Sequence, residues 1–320
     1  MKALDVVTFG EAMVLFIAEQ VGELHQVEKF TRNLAGAETN VAIGLARLGY
    51  RVGWVSKVGN DPFGRYIREK IQSENVDITR VGIDDRYPTG FQLKSKVVSG
   101  DPEIHYFRKG SAASKISVND FDTEYFTSAR HMHMTGIPPA LSDTAREFAE
   151  HALSVMKSAK RTISFDPNLR PQLWASQDEM IRVLNALAVQ ADWVLPGIAE
   201  GQILTGYSDP RDIAAFYLDR GVKLVAVKLG PKGAYYRTAT EEMVVPGFPV
   251  KEVIDTVGAG DGFAVGLISG ILDGISIPVA VSRGNAIGAL AVMSPGDMDG
   301  LPTRDQLTRF INECRNDTKE

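Results

Sequence analysis

Apolar residues recur along this chain with two different periods. Leu4 to Phe9 is a short β-branched run that stops at Gly10, and Arg51 to Val58 is a second, closed by the turn Gly59-Asn60-Asp61-Pro62; both read as strands. Between them, Ala37 to Leu48 sets Val41, Leu45 and Leu48 on one face and stops at Gly49, the spacing of a helix with a glycine just past its end. From Ala129 onward, apolar runs at Ile163 to Phe165, Trp193 to Leu195 and Leu224 to Val227 alternate with helical stretches. That alternation predicts an α/β fold with a mostly parallel central sheet and helices on both faces.

Two stretches break the pattern. Met13 to Leu34 and Thr89 to Phe107 hold short alternating segments with turn residues and no long helix between them. They read as a small β-sheet lid, covering about 12–34 and 88–108, on a single domain running 1–320. The tail is helical: Phe263, Leu267, Ile268, Ile271 and Leu272 make one stripe, a second helix runs through Ala289, and a third starts near Thr303.

Composition narrows the function classes. Thirty-five Lys and Arg against 40 Asp and Glu give a net charge of -5 with no dense basic run, which argues against a nucleic-acid partner. A single cysteine, Cys314, allows no intrachain disulfide, and the start MKALDVVTFGEA lacks a signal-peptide core, so a cytoplasmic setting is expected. No apolar run approaches the roughly 20 residues of a membrane-spanning helix.

The densest chemistry lies in Asp255-Thr256-Val257-Gly258-Ala259-Gly260-Asp261-Gly262-Phe263, where small residues lead a loop into a helix. Gly258, Ala259 and Gly260 leave backbone N–H groups free to face an anion, and the helix dipole favours negative charge there. Asp261, one step inside the helix, is expected to be ionised near neutral pH and to take the proton of an attacking hydroxyl. The bland alternative is a glycine-rich turn with Asp261 as a helix cap. Upstream, Gly36 allows close backbone approach, and Asn40 offers a donor and an acceptor to hydroxyls. Lys228-Leu229-Gly230-Pro231-Lys232-Gly233 follows a strand; its glycines would suit a phosphate or ribose, or simply a hairpin turn. His131 and His133 face the same way on a strand, and without a third ligand nearby they read as packed side chains rather than a metal pair.

These motifs resemble the ribokinase-like, phosphofructokinase B-type family of carbohydrate kinases. Residues 255 to 266, DTVGAGDGFAVG, are very close to its C-terminal signature, and Ala35-Gly36-Ala37-Glu38-Thr39-Asn40-Val41-Ala42 matches its N-terminal sugar-contacting stretch, with Ala35 where Gly-Gly is commoner. The resemblance is closer still to 2-keto-3-deoxygluconate kinases, through Tyr106-Phe107-Arg108-Lys109-Gly110-Ser111-Ala112-Ala113 and Phe165-Asp166-Pro167-Asn168-Leu169-Arg170. It implies a ribokinase-like fold, ATP with Mg2+, and transfer to the terminal primary hydroxyl of a sugar acid.

For the substrate it implicates Gly36, Ala37, Glu38, Asn40, Gln92, Tyr106, Arg108, Arg170 and Asp297. For the nucleotide it implicates Asn168, Arg170, Lys228, Gly230, Gly233, Gly258, Gly260 and Asn285. It also implies a monovalent cation such as K+, with Asp255 the local candidate, and at least a homodimer through the lid edges. No dedicated metal cage is visible in the sequence, which suits magnesium that keeps several waters. Two arginines suit a carboxylate-bearing substrate. The stretch Gly10-Glu11-Ala12-Met13-Val14-Leu15-Phe16 supplies no aspartate where neutral-sugar members carry one, and a carboxylate there would repel an acid. The rival readings are a kinase for a neutral sugar such as fructose and a non-catalytic sugar-binding regulator.

Overall fold

A computed structural model describes residues 3–97 and 102–317, so residues 98–101 of the expected lid segment lie outside the described residues. In chain order the strands are β1 Val6–Phe9, β2 Met13–Val21, β3 Phe30–Ala35, β4 Val52–Gly59, β5 Val81–Asp84, β6 Phe91–Lys96 and β7 Ile104–Phe107. They continue with β8 His131–Thr135, β9 Thr162–Asp166, β10 Trp193–Val194, β11 Leu224–Lys228, β12 Ala234–Thr238 and β13 Glu242–Val245.

Nine strands form one sheet in the order β13-β12-β11-β10-β9-β8-β1-β4-β5. From β11 to β5 every pairing is parallel, as the alternation of strands and helices requires. The expected α/β fold class is borne out. The antiparallel edge of β12 and β13 was not foreseen. Its cause is chain length: only Leu229, a 3-10 turn at Gly230–Lys232 and Gly233 join β11 to β12, too little for the crossover that parallel strands need. Gly233 makes that turn at φ 95.

Alternation along each strand sends neighbours to opposite faces. Val6 belongs to one core cluster, with Val41, Trp54, Val265 and Leu267, and Val7 to the other, with Met132, Phe148, Leu184 and Tyr217. Helices Ala37–Arg47, Ala259–Leu272 and Ile277–Val292 cover the first face, and Asp143–Ser158, Gln177–Ala188 and Pro210–Leu218 the second. Gly266 lets two of them touch closely, since a Cβ there would lie 2.5 Å from the Arg283 carbonyl. The helix that begins at Ala259 is therefore clamped along its length by its neighbour.

The second sheet, ordered β3-β2-β6-β7, is the lid, and β2 enters it directly from the end of β1. Register puts Val14 opposite Phe91 and Leu15 opposite Gln92, with Gln92 opposite Tyr106 and Lys94 opposite Ile104. Met13, Gln92, Lys94, Ile104 and Tyr106 therefore share the face over the body, while Phe16, Phe91 and Phe107 share the other. Phe63, from helix Pro62–Ser73, packs edge-on against Phe16 at 5.6 Å and beside Phe91 at 5.7 Å, which ties the lid to the body through apolar contact.

Candidate active site

Where the lid faces the C-terminal ends of β1, β9 and β11 there is a cavity of about 290 Å³. Its walls carry Gly36, Ala37, Asn40, Gln92, Tyr106, Arg108, Asn168, Arg170, Lys228, Gly258, Gly260, Asp261 and Asp297. Residues separated by more than two hundred positions thus meet in one place.

At its floor the chain turns at Gly258, φ 82, into helix Ala259–Leu272. A side chain at 258 would collide with the Asp297 carbonyl, so the turn needs glycine for space as well as for conformation. A Cβ at Gly260 would stand 3.3 Å from the Lys228 ammonium, so the bare backbone leaves a cradle with a cation beside it. Asn40 donates to Asp261 at 2.8 Å and orients the carboxyl, while the Asn40 Oδ1 is buried without a partner among the described residues. Gly36 lies against the Glu11 carbonyl, where a Cβ would be 2.8 Å away, and opens helix Ala37–Arg47 toward the cavity.

The expectation that Asp261 is ionised near neutral pH is corrected. Burial pushes its carboxyl up to about 8; the Asn40 bond and Lys228 lower it, and Asp166 and Asp297 raise it. Loss of water around a buried carboxylate outweighs the nearby cation. Such a value suits a proton acceptor, because a base works best with a pKa close to the operating pH.

Four cations and five acidic side chains face the space. Lys228 bonds Asp166 at 2.6 Å and lies 4.0 Å from Glu200, and its pKa is raised because these carboxylates more than offset burial. Arg108 is held by Glu11 through contacts of 2.6 Å and 2.7 Å, and Ser111 also bonds that carboxylate. Lys94 of the lid bonds Asp255. Arg170 donates to the Leu169 carbonyl at 2.9 Å and has no carboxylate partner among the described residues. Burial raises Asp297 to about 6, and its Oδ1 has no partner among the described residues.

Other expected residues stand elsewhere. Glu38 is wholly buried behind the cavity under Gly10, accepts from Thr135, and is pushed up to about 7 by burial. Gly230 and Gly233 form the hairpin turn, and Asn285 donates to the Val245 and Pro246 carbonyls at 3.0 Å each. Ala259 is the first helical residue below the cradle. His131 and His133 both hydrogen-bond Ser164, and His131 stacks on Trp193 at 4.6 Å. Burial drives both imidazoles to the neutral form.

Residues 10 to 16 contain no aspartate, but their one acidic residue, Glu11, lies in the cavity wall. Its carboxylate is already neutralised by Arg108, so it does not stand there as a bare negative charge. Glu11, Lys94 and Glu200 carry no motif of their own. Asp166 does, inside Phe165-Asp166-Pro167-Asn168-Leu169-Arg170.

Comparison with known proteins adds four findings. The model of the pfkB family of carbohydrate kinases matches residues 3–304. The sequence is 55% identical to the 2-dehydro-3-deoxygluconokinase of Bacillus subtilis over 313 residues, 98% of this chain and 97% of that one. Among solved structures, the PfkB protein from Polaromonas sp. JS666 superposes with a TM-score of 0.89 and 51% identity, covering 96% of this chain and 99% of that one. An E. coli protein provisionally described as a ribokinase II, in complex with ATP and Mg2+, superposes with a TM-score of 0.89 at 30% identity, covering 97% and 99%.

Proposed function

The chain belongs to the pfkB family of carbohydrate kinases, and on that premise we propose that it transfers the terminal phosphoryl group of ATP to the primary hydroxyl of 2-keto-3-deoxygluconate. The product is the 6-phosphate. The reading is supported by the name of the 55% identical relative. The observation that carries it is a buried carboxyl, Asp261, oriented by Asn40 beside a glycine cradle, with Arg170, which has no carboxylate partner among the described residues, in the same cavity.

Asp261 accepts the proton of the substrate hydroxyl as its oxygen bonds to the terminal phosphorus, and the bond from that phosphorus to the bridging oxygen breaks to release ADP. The N–H groups of residues 258–260 face the charge that builds on the transferring group, and Lys228 supplies a fixed cation beside them. Asp166 and Glu200 are the hard oxygen donors on that side and would hold the waters of a magnesium ion, whose charge would offset that of the nucleotide phosphates. At the sugar-acid end Arg170 pairs the substrate carboxylate, Asn40 Oδ1 accepts a hydroxyl, and Tyr106 and Gln92 close the space from the lid. Gly230, Gly233 and Asn285 support the nucleotide from the hairpin side.

One observation favours a second reading. The Glu11–Arg108 pair leaves that side of the cavity balanced in charge, which suits a neutral sugar such as fructose. A coupled assay of ADP release with both acceptors decides. Faster turnover of the keto acid is expected, and equal or greater turnover of fructose removes the assignment.

We take residues 1–320 as one kinase unit that works in the cytoplasm; no helix among the described residues is long and apolar enough to cross a membrane. The edge strand β7 carries Phe107, 51% exposed, and we propose that lid edges pair in a homodimer. Light scattering at micromolar concentration should give twice the chain mass.

A further inference from the structure

We propose that Lys94 is a positioning residue for the transfer step, a lid-borne ammonium that holds the anion-hole loop in place through Asp255. The inference rests on the kinase reading above.

Lys94 is 4% exposed on the body-facing side of β6. Its ammonium bonds one oxygen of Asp255, and the other oxygen of Asp255 accepts the Val257 N–H at 3.1 Å. The lid is thereby joined, through one carboxylate, to the residue immediately before Gly258. Asp297 flanks the same ammonium: its carboxyl is lowered by Lys94 and raised by Asp255, and its carbonyl abuts Gly258. Arg170 and Asp299 also act on Asp297, but among the described residues Asp255 has no ion-pair partner other than Lys94.

Removing the ammonium leaves two buried carboxylates side by side against the loop that forms the cradle. Such a pair relieves itself by taking a proton, taking up a cation, or moving apart. Any movement displaces the 257–260 backbone, and a displacement of about 1 Å at a transferring group costs on the order of 10²-fold in rate. Lys94 is not what attaches the lid. The apolar attachment uses Phe16 and Phe91 on the opposite face, against Phe63. Loss of the charge should therefore act on the cradle rather than detach the sheet.

The test is steady-state kinetics of the native enzyme, Lys94→Met and Lys94→Ala in sodium, potassium and ethylammonium buffers, with folding checked by thermal melting. Both variants should lose about 10²-fold in kcat, with KM for acceptor and ATP held within about threefold. Ethylammonium, added at constant potassium, should restore Lys94→Ala by at least about tenfold and leave the native enzyme unchanged, since a small cation entering the vacated space resupplies the charge. Native kcat in Lys94→Met, a change in KM alone, or a loss that no cation relieves would overturn the proposal. If neither variant folds, Lys94→Arg decides: kcat within about tenfold of native supports the role of the charge, and a larger loss removes it. Failure of the native enzyme on the keto acid sinks only the substrate reading, and the same variants are then compared with fructose as acceptor.

Discussion

Lys228 ends strand β11 inside the nine-stranded sheet, whereas Lys94 stands on β6 of the lid, yet each ammonium holds a buried aspartate beside the same glycine cradle. Lys228 is fixed by the body: its partners Asp166 and Glu200 come from the end of β9 and from helix Ile198–Thr205. Lys94 reaches its partner across the boundary between two sheets. One charge thus sits within the main sheet, and the other joins the second sheet to the loop that leads into the cradle. Buried ion pairs contribute little net stability once desolvation is counted, so their value here lies in where they put the backbone.

The largest expected effect strikes the group between them. Asp261→Asn should lower kcat by about 10⁴-fold while calorimetry still detects sugar-acid binding. The same change should stabilise the fold. Asp261 holds its proton up to about 8, against 3.8 for an unperturbed aspartate, so between those values the folded chain binds a proton that the unfolded chain has released, and native stability falls as pH rises through that window. The melting-temperature advantage of Asp261→Asn should therefore be near zero at about pH 4 and grow toward about pH 8.

Lys228→Met comes next, with a loss of about 10² to 10³-fold in kcat, larger than that of Lys94→Met because the ammonium stands directly beside the cradle. A distinct signature separates the two lysines. Log kcat/KM should rise with pH and level off near 8 in the native enzyme. Lys228 lowers the Asp261 pKa, so its removal should move that limb to higher pH, while Lys94→Met should leave the limb in place. Equal displacement in both variants would erase the distinction.

Arg108 and Arg170 extend the comparison to the sugar end. Arg108→Met leaves Glu11 buried and unpaired and should cost about 3 kcal/mol in urea unfolding. Arg170→Gln, which breaks no ion pair with a carboxylate, should leave the unfolding curve unchanged and raise KM for the acid about tenfold, with kcat little altered. Should Arg108→Met unfold no more easily than Arg170→Gln, the two guanidiniums are equivalent and both are free for substrate.

Much of the fold was legible because its signals are local. Ala37 to Leu48 and Arg51 to Val58 show their periods within a dozen residues, and the structure places a helix at Ala37–Arg47 and a strand at Val52–Gly59. The lid was visible as two stretches with the wrong period for a parallel sheet, and its strands fall at Met13–Val21, Phe30–Ala35, Phe91–Lys96 and Ile104–Phe107. The antiparallel hairpin after Lys228 was not read as part of the main sheet, although the shortness of its turn allowed no parallel return. In the site, Gly258, Gly260 and Asp261 announce themselves as a contiguous run. Glu38 sits in an equally contiguous motif and yet points away from the cavity, because helix periodicity turns position 38 toward Thr135 while Ala37 and Asn40 stay on the open side.

The sequence by itself determined where strands and helices lie, which family the chain resembles, and which carboxyl stands at a helix start beside glycines. Only the tertiary structure decided which groups pair: Asn40 with Asp261, Glu11 with Arg108, and Lys94 with Asp255. It also decided that Asp261 keeps its proton to about 8. The reason is that periodicity and turn chemistry depend on residues a few positions apart. Ion pairing and desolvation depend on what surrounds a group in space, and no window of neighbouring residues contains that.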